Sequence, residues 1–360
     1  MPSSLYIHIP FCKRICAYCD FPKVIYAQNW AFSYIKGMLE DLKGLNRQYK
    51  TIYVGGGTPT SLSLDLLDEL LSALKEKLLK DGEFSIEANP ETINGEVLDC
   101  LKKNGINRLS IGAQTSSPKW LSYLGRTHNF EDVRKAVSLA KEKGFSNINV
   151  DMMYGFDGQT KEELTEDLEN FLSMDVPHIS AYSLIVEDGT VLKNEKAKED
   201  EDLQGDFYEI ISTTLRRDGY KHYEVSNFCK PGFECRHNLT YWKDEEYDAL
   251  GLGASGYSNG VRYAYTKNLT AYLTNKHKDY EEAITPEDDV KFYLTTNLRL
   301  LDGFDLDDFE NRFSYRFEKH FKGEIDKLTN QEGLLTISGN KCHATEKGII
   351  LLDRILLEFY

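Results

Sequence analysis

The sequence lacks the features that mark a membrane protein or a nucleic-acid-binding protein. Its 360 residues contain no apolar run that approaches the length of a membrane span, and no charged-then-apolar leader precedes the first strand-like run. Lysine and arginine form no stripe, and the 43 basic residues are outnumbered by 58 acidic ones, for a net charge of -15. We therefore expect no nucleic-acid partner, no stable membrane insertion and a cytoplasmic location.

Cysteine is scarce, and its distribution argues against a disulfide framework. The chain has seven cysteines, an odd number, and three of them lie close together in one loop, which fits a reducing compartment. We interpret the other four as structural. A second metal pair made by Cys229 and Cys235 is disfavoured, because five intervening residues are a weak signal. The four structural cysteines are Cys100, Cys229, Cys235 and Cys342.

The cysteine loop lacks a fourth thiol. Cys12, Cys16 and Cys19 follow a strand-like run that ends at Pro10, so they can converge only on a compact inorganic group. A closed zinc site or a saturated iron-sulfur cube needs four ligands, and here one coordination position stays free. An iron-sulfur cube with one exposed iron is the first hypothesis. A zinc site completed by His8 is the main rival, and three unlinked core cysteines are the third reading.

Strand-like and helical runs alternate over the first half of the chain, which is typical of a parallel sheet covered by helices. Apolar residues at helical spacing predict outer helices over 64–79 and 132–143. Six β/α units form an α/β fold of the incomplete-barrel type. The predicted strands lie near residues 4–9, 51–55, 83–88, 107–113, 146–152 and 178–185.

The predicted strands each have one apolar and one polar face. A strand buried on both sides normally reads as continuous apolar sequence, so repeated polar faces indicate a wet lumen that binds a ligand. These residues cluster toward the carboxyl ends of the strands, where barrel enzymes carry their chemistry. For any one residue, a satisfied core polar group is the alternative. The polar faces contain Tyr6 and His8; Ser85, Glu87 and Asn89; Ser110, Gly112 and Gln114; and Asn149, Asp151 and Met153.

The pattern changes after about residue 200. A helix is predicted over 202–217 and a strand over 222–229, followed by the segments HNLTYW and GLGASG. The last part reads as mainly helical, with a two-stranded wing near 334–344 and a closing helix from Glu346. We predict a barrel over 1–200, a connecting segment over 201–285 and a helical, winged-helix-like domain over 286–360.

Taken together, these motifs resemble the radical S-adenosylmethionine family, in the branch that contains the oxygen-independent coproporphyrinogen III oxidases and the HemW-type haem chaperones. The resemblance implies a partial (β/α)6 TIM-like barrel with a C-terminal helical domain. It also implies a [4Fe-4S] cluster held by Cys12, Cys16 and Cys19. The segments that carry it are YIHIPFC, the cysteine loop, GGGTPT, SIEANP, SIGAQ, LGR, INVDMMYG, HNLTYW and GLGASG.

The resemblance also implies the residues that bind S-adenosylmethionine. Their chemistry agrees, since Glu87 and Asp151 suit cationic groups or hydroxyls and Arg126 suits a carboxylate. In this family the reduced cluster cleaves the bound sulfonium to a radical, while the protein supplies position and excludes water. The implied cofactor-binding residues are Tyr6, Tyr18, Gly56, Gly57, Thr58, Glu87, Gln114, Arg126 and Asp151.

Departures from the oxidase pattern place the chain nearer the chaperones. The oxidases have a fourth cysteine where Phe21 stands and a long arm before Tyr6, and HNLTYW matches the chaperones. By this resemblance His237 ligates haem iron, with Tyr241 and Trp242 against the macrocycle. The alternative is a structural histidine that hydrogen-bonds beside a core aromatic pair.

Three functions follow as hypotheses. The first is a haem chaperone that binds the cluster, S-adenosylmethionine and haem as cargo, and transfers the haem to an acceptor protein. The second is an oxygen-independent coproporphyrinogen III oxidase, which would convert propionates of the porphyrinogen to vinyl groups and would need an electron donor. The third is a zinc-stabilised binding module.

Overall fold

A twelve-stranded mixed sheet organises the computed structural model, which describes residues 2–275 and 278–360. A three-stranded sheet and a two-stranded pair accompany it in the described residues. The strands are β1 Ser4–Ile9, β2 Phe11–Cys12, β3 Val24–Ile25, β4 Tyr49–Gly56, β5 Leu78–Ala88, β6 Arg108–Gln114, β7 Asn147–Tyr154, β8 His178–Ser183, β9 Lys221–Glu224, β10 Asn227–Cys229, β11 Tyr247–Leu250, β12 Ser255–Ser258, β13 Val261–Tyr265, β14 Lys278–Ala283, β15 Phe304–Asp305, β16 Leu335–Ser338 and β17 Lys341–Ala344.

Helices cover the strands and build the C-terminal part. Short 3-10 turns lie at Pro59–Ser61 and Pro90–Thr92, and a π-turn lies at Lys327–Gln331. The helices are α1 Gln28–Gly44, α2 Leu64–Lys75, α3 Gly95–Lys103, α4 Pro118–Tyr123, α5 Phe130–Glu142, α6 Lys161–Leu172, α7 Val191–Asn194, α8 Glu201–Arg217, α9 Arg236–Trp242, α10 Leu269–Asn275, α11 Pro286–Asn297, α12 Leu306–Phe313, α13 Phe317–His320, α14 Lys322–Asp326, α15 Glu346–Ile350 and α16 Leu352–Leu356. None of these described helices is both long and apolar enough to cross a bilayer.

The six predicted parallel strands form the centre of the large sheet, in the order β1-β4-β5-β6-β7-β8. Their apolar faces are fully buried against the helices, as Ile7, Val54 and Ile86 show. The predicted helix from residue 64 buries an unbroken leucine stripe that includes Leu67 and Leu70. Each such side chain contributes roughly 1.5–3 kcal/mol of burial free energy. The order of the six parallel strands and the helices that cover them confirm the predicted α/β fold.

Two predicted elements have different bounds in the structure. The helix expected over 64–79 ends at Lys75, because Leu78 already begins β5. The single strand expected over 222–229 is a hairpin, since the carboxylate of Glu224 accepts hydrogen bonds from the Ser226 N–H and the Asn227 side chain. These bonds stabilise the turn between β9 and β10.

Further strands widen the sheet beyond the six predicted ones. β11 pairs in parallel with β1, and β12, β13 and β14 continue the sheet in antiparallel order to one edge. Asn259 and Gly260 both have positive φ, at 53° and 72°, and connect β12 to β13. Asn-Gly between two strand-like runs is a strong hairpin signal, so the sequence contained this information.

The C-terminal part has its own aromatic core around Phe304, Phe309 and Phe317. The predicted wing is the hairpin of β16 and β17, and β15 adds a third strand to it. This part covers the β9 edge of the large sheet, where the Val225 N–H donates to the Arg299 carbonyl at 3.0 Å. The expected closing helix is split into α15 and α16.

A buried carboxylate joins the sheet to the C-terminal helices. Asp244 has a side chain that is 2% exposed, and it accepts from Arg262 Nη2 at 2.5 Å and from Arg312 Nη2 at 2.7 Å. Arg312 also pairs with Asp289 of α11. One carboxylate that is withdrawn from water therefore binds two guanidinium groups, and Asp289 is a second partner for one of them.

We expect Asp244→Asn to lower the free energy of unfolding by about 2 kcal/mol or more, because it leaves two partly buried arginines undercompensated. Urea unfolding measures the change. The matched control is Glu40→Gln, which breaks an ion pair with Lys43 whose side chains are 70% and 71% exposed. That variant should cost less than about 1 kcal/mol, and equal losses in the two variants would contradict the assignment.

Candidate functional site

The cysteine loop is closed at its base by a short parallel strand pair. Cys12 of β2 lies opposite Ile25 of β3, and the Tyr26 N–H donates to the Cys12 carbonyl at 2.9 Å. On its other side, the Ala17 N–H donates to the Leu124 carbonyl at 2.9 Å. The loop is thereby fixed at the carboxyl ends of the parallel strands, where the sequence places it.

The three thiols line one cavity of about 380 Å³ at this end of the barrel. Thr58 Oγ1 donates to Cys12 Sγ at 3.8 Å, and Arg126 Nη1 donates to Cys16 Sγ at 3.4 Å. Burial raises the pKa of Cys12 to about 11 and also raises the pKa of Cys19. Binding of a metal group as thiolates must therefore release protons.

Gly57 makes room for the first thiol. A Cβ on Gly57 would lie 2.9 Å from Cys12 Sγ and 2.7 Å from the Pro10 carbonyl carbon, so a larger residue would displace both. The donor set consists of the three thiols, with the Thr58 hydroxyl and the Arg126 guanidinium directed at two of the sulfur atoms. Such a set fits a three-cysteine iron-sulfur cube. Cys12, Cys16 and Cys19 are the residues that would hold it.

His8 does not complete this site. Its Nε2 is 2.7 Å from the Pro22 carbonyl oxygen, and its Nδ1 is 3.0 Å from the Tyr6 hydroxyl, so both ring nitrogens are used. In the described parts of the chain, no three His, Cys, Asp or Glu side chains, the three loop thiols included, converge on the position of a single metal ion, so no mononuclear site is preformed. The buried Cys235 thiol donates to Glu83 at 3.7 Å. The geometry thus supports neither the zinc site with His8 nor a second metal pair.

The glycine turn after β4 is held by a carboxylate in the lumen. Glu87 accepts from the Gly56 N–H and from the Tyr53 hydroxyl, both at 2.9 Å. A Cβ on Gly55 would lie 2.8 Å from the Glu87 carboxyl carbon. The glycines therefore permit close approach, as expected, but the N–H of Gly56 already has a partner inside the protein.

Two carboxylates share the lumen. Burial is the main reason that the pKa of Glu87 rises to about 7, and the negative charge of Asp151 adds to it. Burial also raises the pKa of Asp151, although Asn149 Nδ2 donates to it at 2.7 Å. Near neutral pH this pair can bind a cationic group or hold a proton.

Gln114 at the end of β6 and Arg126 beyond it lie between the strands that carry Glu87 and Asp151. Arg126 Nη2 donates to Asn89 Oδ1 and to the Gly112 carbonyl, both at 2.8 Å. Gln114 ends β6 with φ of +69°, in the left-handed region that costs a residue with a side chain free energy. Backbone strain of this kind is often found where a ligand is bound.

The structure brings most of the predicted residues together. Tyr6 is the exception, because its hydroxyl points to His8 and its ring lies 6.3 Å from that of Tyr53. That each of these residues contacts S-adenosylmethionine stays a prediction. The predicted residues that line the common cavity with the three cysteines are Tyr18, Gly56, Gly57, Thr58, Glu87, Gln114, Arg126 and Asp151.

Several cavity residues were missed by sequence reasoning. Tyr53 and Arg108 follow the period-two pattern of β4 and β6, so starting the alternation one residue earlier on β6 would have found Arg108. Tyr182 shares the period-two face of β8 with Ser180, so the same pattern would have found it, whereas Ile185 lies beyond the strand and gives no comparable signal. Asn238 reaches the lumen from HNLTYW, which places that segment against the barrel.

His237 lies in the protein interior, where it is fully buried. Its Nδ1 is 2.8 Å from Thr51 Oγ1 and its Nε2 is 2.7 Å from the Tyr241 hydroxyl. Its ring stacks on Tyr53 with centroids 5.2 Å apart, and burial lowers its pKa to about 3. In this conformation neither nitrogen can reach a haem iron, so the described arrangement corresponds to the structural alternative.

Comparison with known proteins first identifies the class. The profile of the Radical SAM superfamily matches residues 6–171, and the profile of the HemN C-terminal domain matches residues 284–351. A solved structure, coproporphyrinogen III oxidase (HemN) from Escherichia coli, has a TM-score of 0.87 with 23% sequence identity and covers 99% of this chain and 90% of its own. At that identity the likeness establishes the fold.

Curated relatives narrow the class further. The heme chaperone HemW of Lactococcus lactis is 40% identical over 99% of this chain and 97% of its own length. The heme chaperone HemW of Bacillus subtilis is 34% identical over 99% and 98%, and that of Escherichia coli 31% over 99% and 97%. The chain belongs to the HemW family of the radical SAM superfamily. Membership of that superfamily implies a [4Fe-4S] cluster and S-adenosylmethionine.

When bound, the cluster supplies one-electron chemistry at S-adenosylmethionine. The protein's own residues supply position and charge around that chemistry. Arg126 directs a positive charge at Cys16, and Thr58 directs a hydroxyl at Cys12. Glu87 and Asp151 provide negative charge deeper in the same cavity.

We expect Cys16→Ala to lower the iron and acid-labile sulfide of the anaerobically reconstituted protein to background, because two thiolates do not retain a cube. Chemical iron and sulfide analysis with a visible spectrum measures this. Cys100→Ala is the matched control, since Cys100 lies beside Asp68 and Asn104, away from the loop. Full cluster content in the Cys16 variant would contradict the assignment.

The pKa of Glu87 predicts a pH dependence of stability. Because the pKa of Glu87 is raised in the folded state, its contribution to the free energy of unfolding is fully present below about pH 4.5. That contribution is lost as the pH rises through about 7. The parent's free energy of unfolding should therefore fall by up to about 3 kcal/mol over that window from this group. Glu87→Gln should remove that component in urea unfolding at several pH values, whereas Glu131→Gln, an exposed control, should not. Parallel curves for the parent and the Glu87 variant would refute the shift.

Proposed function

We propose that this protein is a haem chaperone that binds a [4Fe-4S] cluster, S-adenosylmethionine and haem, and transfers the haem to an acceptor protein. The observation that carries the proposal is the 40% identity, over 99% of the chain, to a protein named heme chaperone HemW. Phe21, which stands where the oxidases have a fourth cysteine, supports the same choice. The closely similar fold of the oxidase does not decide between the two activities, because at 23% identity it establishes the fold alone.

The proposed ligand-binding residues follow the family positions. Cys12, Cys16 and Cys19 hold the cluster, and the residues around Glu87, Arg126 and Asp151 bind S-adenosylmethionine. This assignment is supported by the common cavity that they line and by its complementary charges. Haem is the proposed cargo. Its macrocycle is far larger than a side chain, so its binding site must be wide enough to admit it.

His237 is the proposed iron ligand only in a second conformation. Ligation through Nε2 would break its hydrogen bond with Tyr241 and move the residue out of its contact with Tyr53. The described conformation would then be the haem-free one. Breaking each neutral hydrogen bond of this kind costs about 1 kcal/mol of free energy.

The proposed function is tested by adding haem to the anaerobically reconstituted protein. We expect a saturable Soret band at one haem per chain, followed by its transfer to a haem-free acceptor such as apomyoglobin. The same preparation, incubated with coproporphyrinogen III, a one-electron reductant and S-adenosylmethionine as the oxidising co-substrate, should form no protoporphyrinogen. Turnover of the porphyrinogen without saturable haem binding would overturn the chaperone in favour of the oxidase.

The role of His237 is tested by a pair of variants. We expect His237→Ala to weaken haem binding at least tenfold, because it removes the ligand. Tyr241→Phe keeps the ring and frees Nε2, so it should tighten binding about fivefold, since about 1 kcal/mol of restraint is removed. Soret titration measures both. Unchanged affinity in the two variants would place the iron ligand elsewhere while leaving the chaperone proposal intact.

A further inference from the structure

An arginine without a partner lies on the floor of the lumen. Arg108 begins β6, is 2% exposed and lines the same cavity as Ser110 and Asp151. Within residues 2–275 and 278–360 its guanidinium forms neither an ion pair nor a hydrogen bond, and its Nε is buried without a partner. Arg126, in contrast, has protein partners for both of its terminal nitrogens. The Nε of Arg108 therefore loses its hydration without compensation, whereas its two terminal nitrogens remain accessible from the cavity.

The carboxylate on the same floor is already engaged by backbone groups. Glu83 accepts from the N–H groups of Arg236 and His237, at 2.9 and 3.0 Å, and so caps the first turn of α9. Its negative charge stabilises the cation of Arg108 through space. It does not satisfy the hydrogen-bonding fork of Arg108.

The walls above Arg108 are polar and already ordered. Asn149 donates to Ser110 and to Asp151, both at 2.7 Å, and it accepts from Ser180 at 3.0 Å. The side chains of Tyr53 and Asn238 complete the lining of this lower part. A ligand that enters here meets fixed hydroxyl and amide groups around one unpartnered cation.

The floor lies far from the cysteine loop. Arg108 and Gln114 are six positions apart along β6, which corresponds to a distance of about 20 Å. Arg108 therefore enters the cavity from the amino end of β6, whereas the three thiols line it at the carboxyl ends of the strands.

We propose that Arg108 anchors an alkyl carboxylate at the floor of the lumen. A guanidinium presents parallel N–H donors that match a carboxylate in two-point contact. A single negative charge is favoured over a doubly charged phosphate, because Glu83, Glu87 and Asp151 already place acidic groups around the site. The carboxylate belongs either to a separate small molecule or to a carboxylate arm of a cofactor in the upper lumen.

The test is thermal unfolding of the full-length reconstituted protein with sodium propionate, compared with propionamide, its uncharged counterpart. Sodium chloride keeps the ionic strength equal. At tens of millimolar, propionate should raise the Tm by about 2 °C more than propionamide does. Saturating S-adenosylmethionine separates the two sources, since the shift persists for a separate ligand and disappears if the cofactor occupies Arg108. Equal shifts with propionate and propionamide would overturn the proposal.

Variants make the assignment specific. Arg108→Gln should abolish the propionate shift and Arg108→Lys should retain part of it, because lysine keeps the charge without the fork. Arg316→Gln is the matched control, as Arg316 lies on the surface with a side chain 54% exposed, and it should keep the full shift. If Arg108→Gln does not fold, the parent's response to propionate and propionamide still decides. A propionate shift that survives in a folded Arg108→Gln would refute the anchor.

Discussion

The structure depends on strict alternation along its parallel strands. Every helix-facing residue such as Ile86 or Ile111 is followed by one that faces the lumen, and the register pairs Glu87 with Ser110 and Ser110 with Asn149. A slip of one residue in any strand would exchange these two sets, putting carboxylates under the helices and isoleucines in the cavity. The hydrophobic core thus fixes the positions of the cofactor-binding candidates as firmly as it fixes the fold.

Elements with a strong period were predictable from the sequence. The six central strands and the two outer helices that were predicted are present, because their apolar residues repeat at the spacing that burial requires. The strands from Tyr247 to Ala283 were missed because they are short, and the turn at Asn259 and Gly260 is the clear local signal for them. Their place in the sheet is set by the pairing of β11 with β1. These two strands are distant in the sequence, so no local pattern reveals that they pair.

The site was predictable to a similar degree and for a similar reason. The cysteine spacing and the polar strand faces are local, so they identified the three thiols and lumen residues such as Glu87 and Asp151, whereas Tyr18, Thr58 and Arg126 came from the family resemblance. Partners that come from distant segments were not visible, such as Asn89 for Arg126 or Thr51 for His237. Burial was also invisible, and it is burial that gives Glu87 and His237 their shifted pKa values. Chemistry that depends on three-dimensional surroundings must be read from the structure.

The open sheet has two ends, and the protein treats them differently. At β9 the C-terminal part provides backbone partners, whereas β14 is the terminal strand on the other side and presents Glu281 and Glu282 to solvent. An uncovered strand can template the addition of another chain, but like-charged side chains on it repel an identical copy. The negative charges of Glu281 and Glu282 thereby disfavour edge-to-edge pairing between two copies of β14.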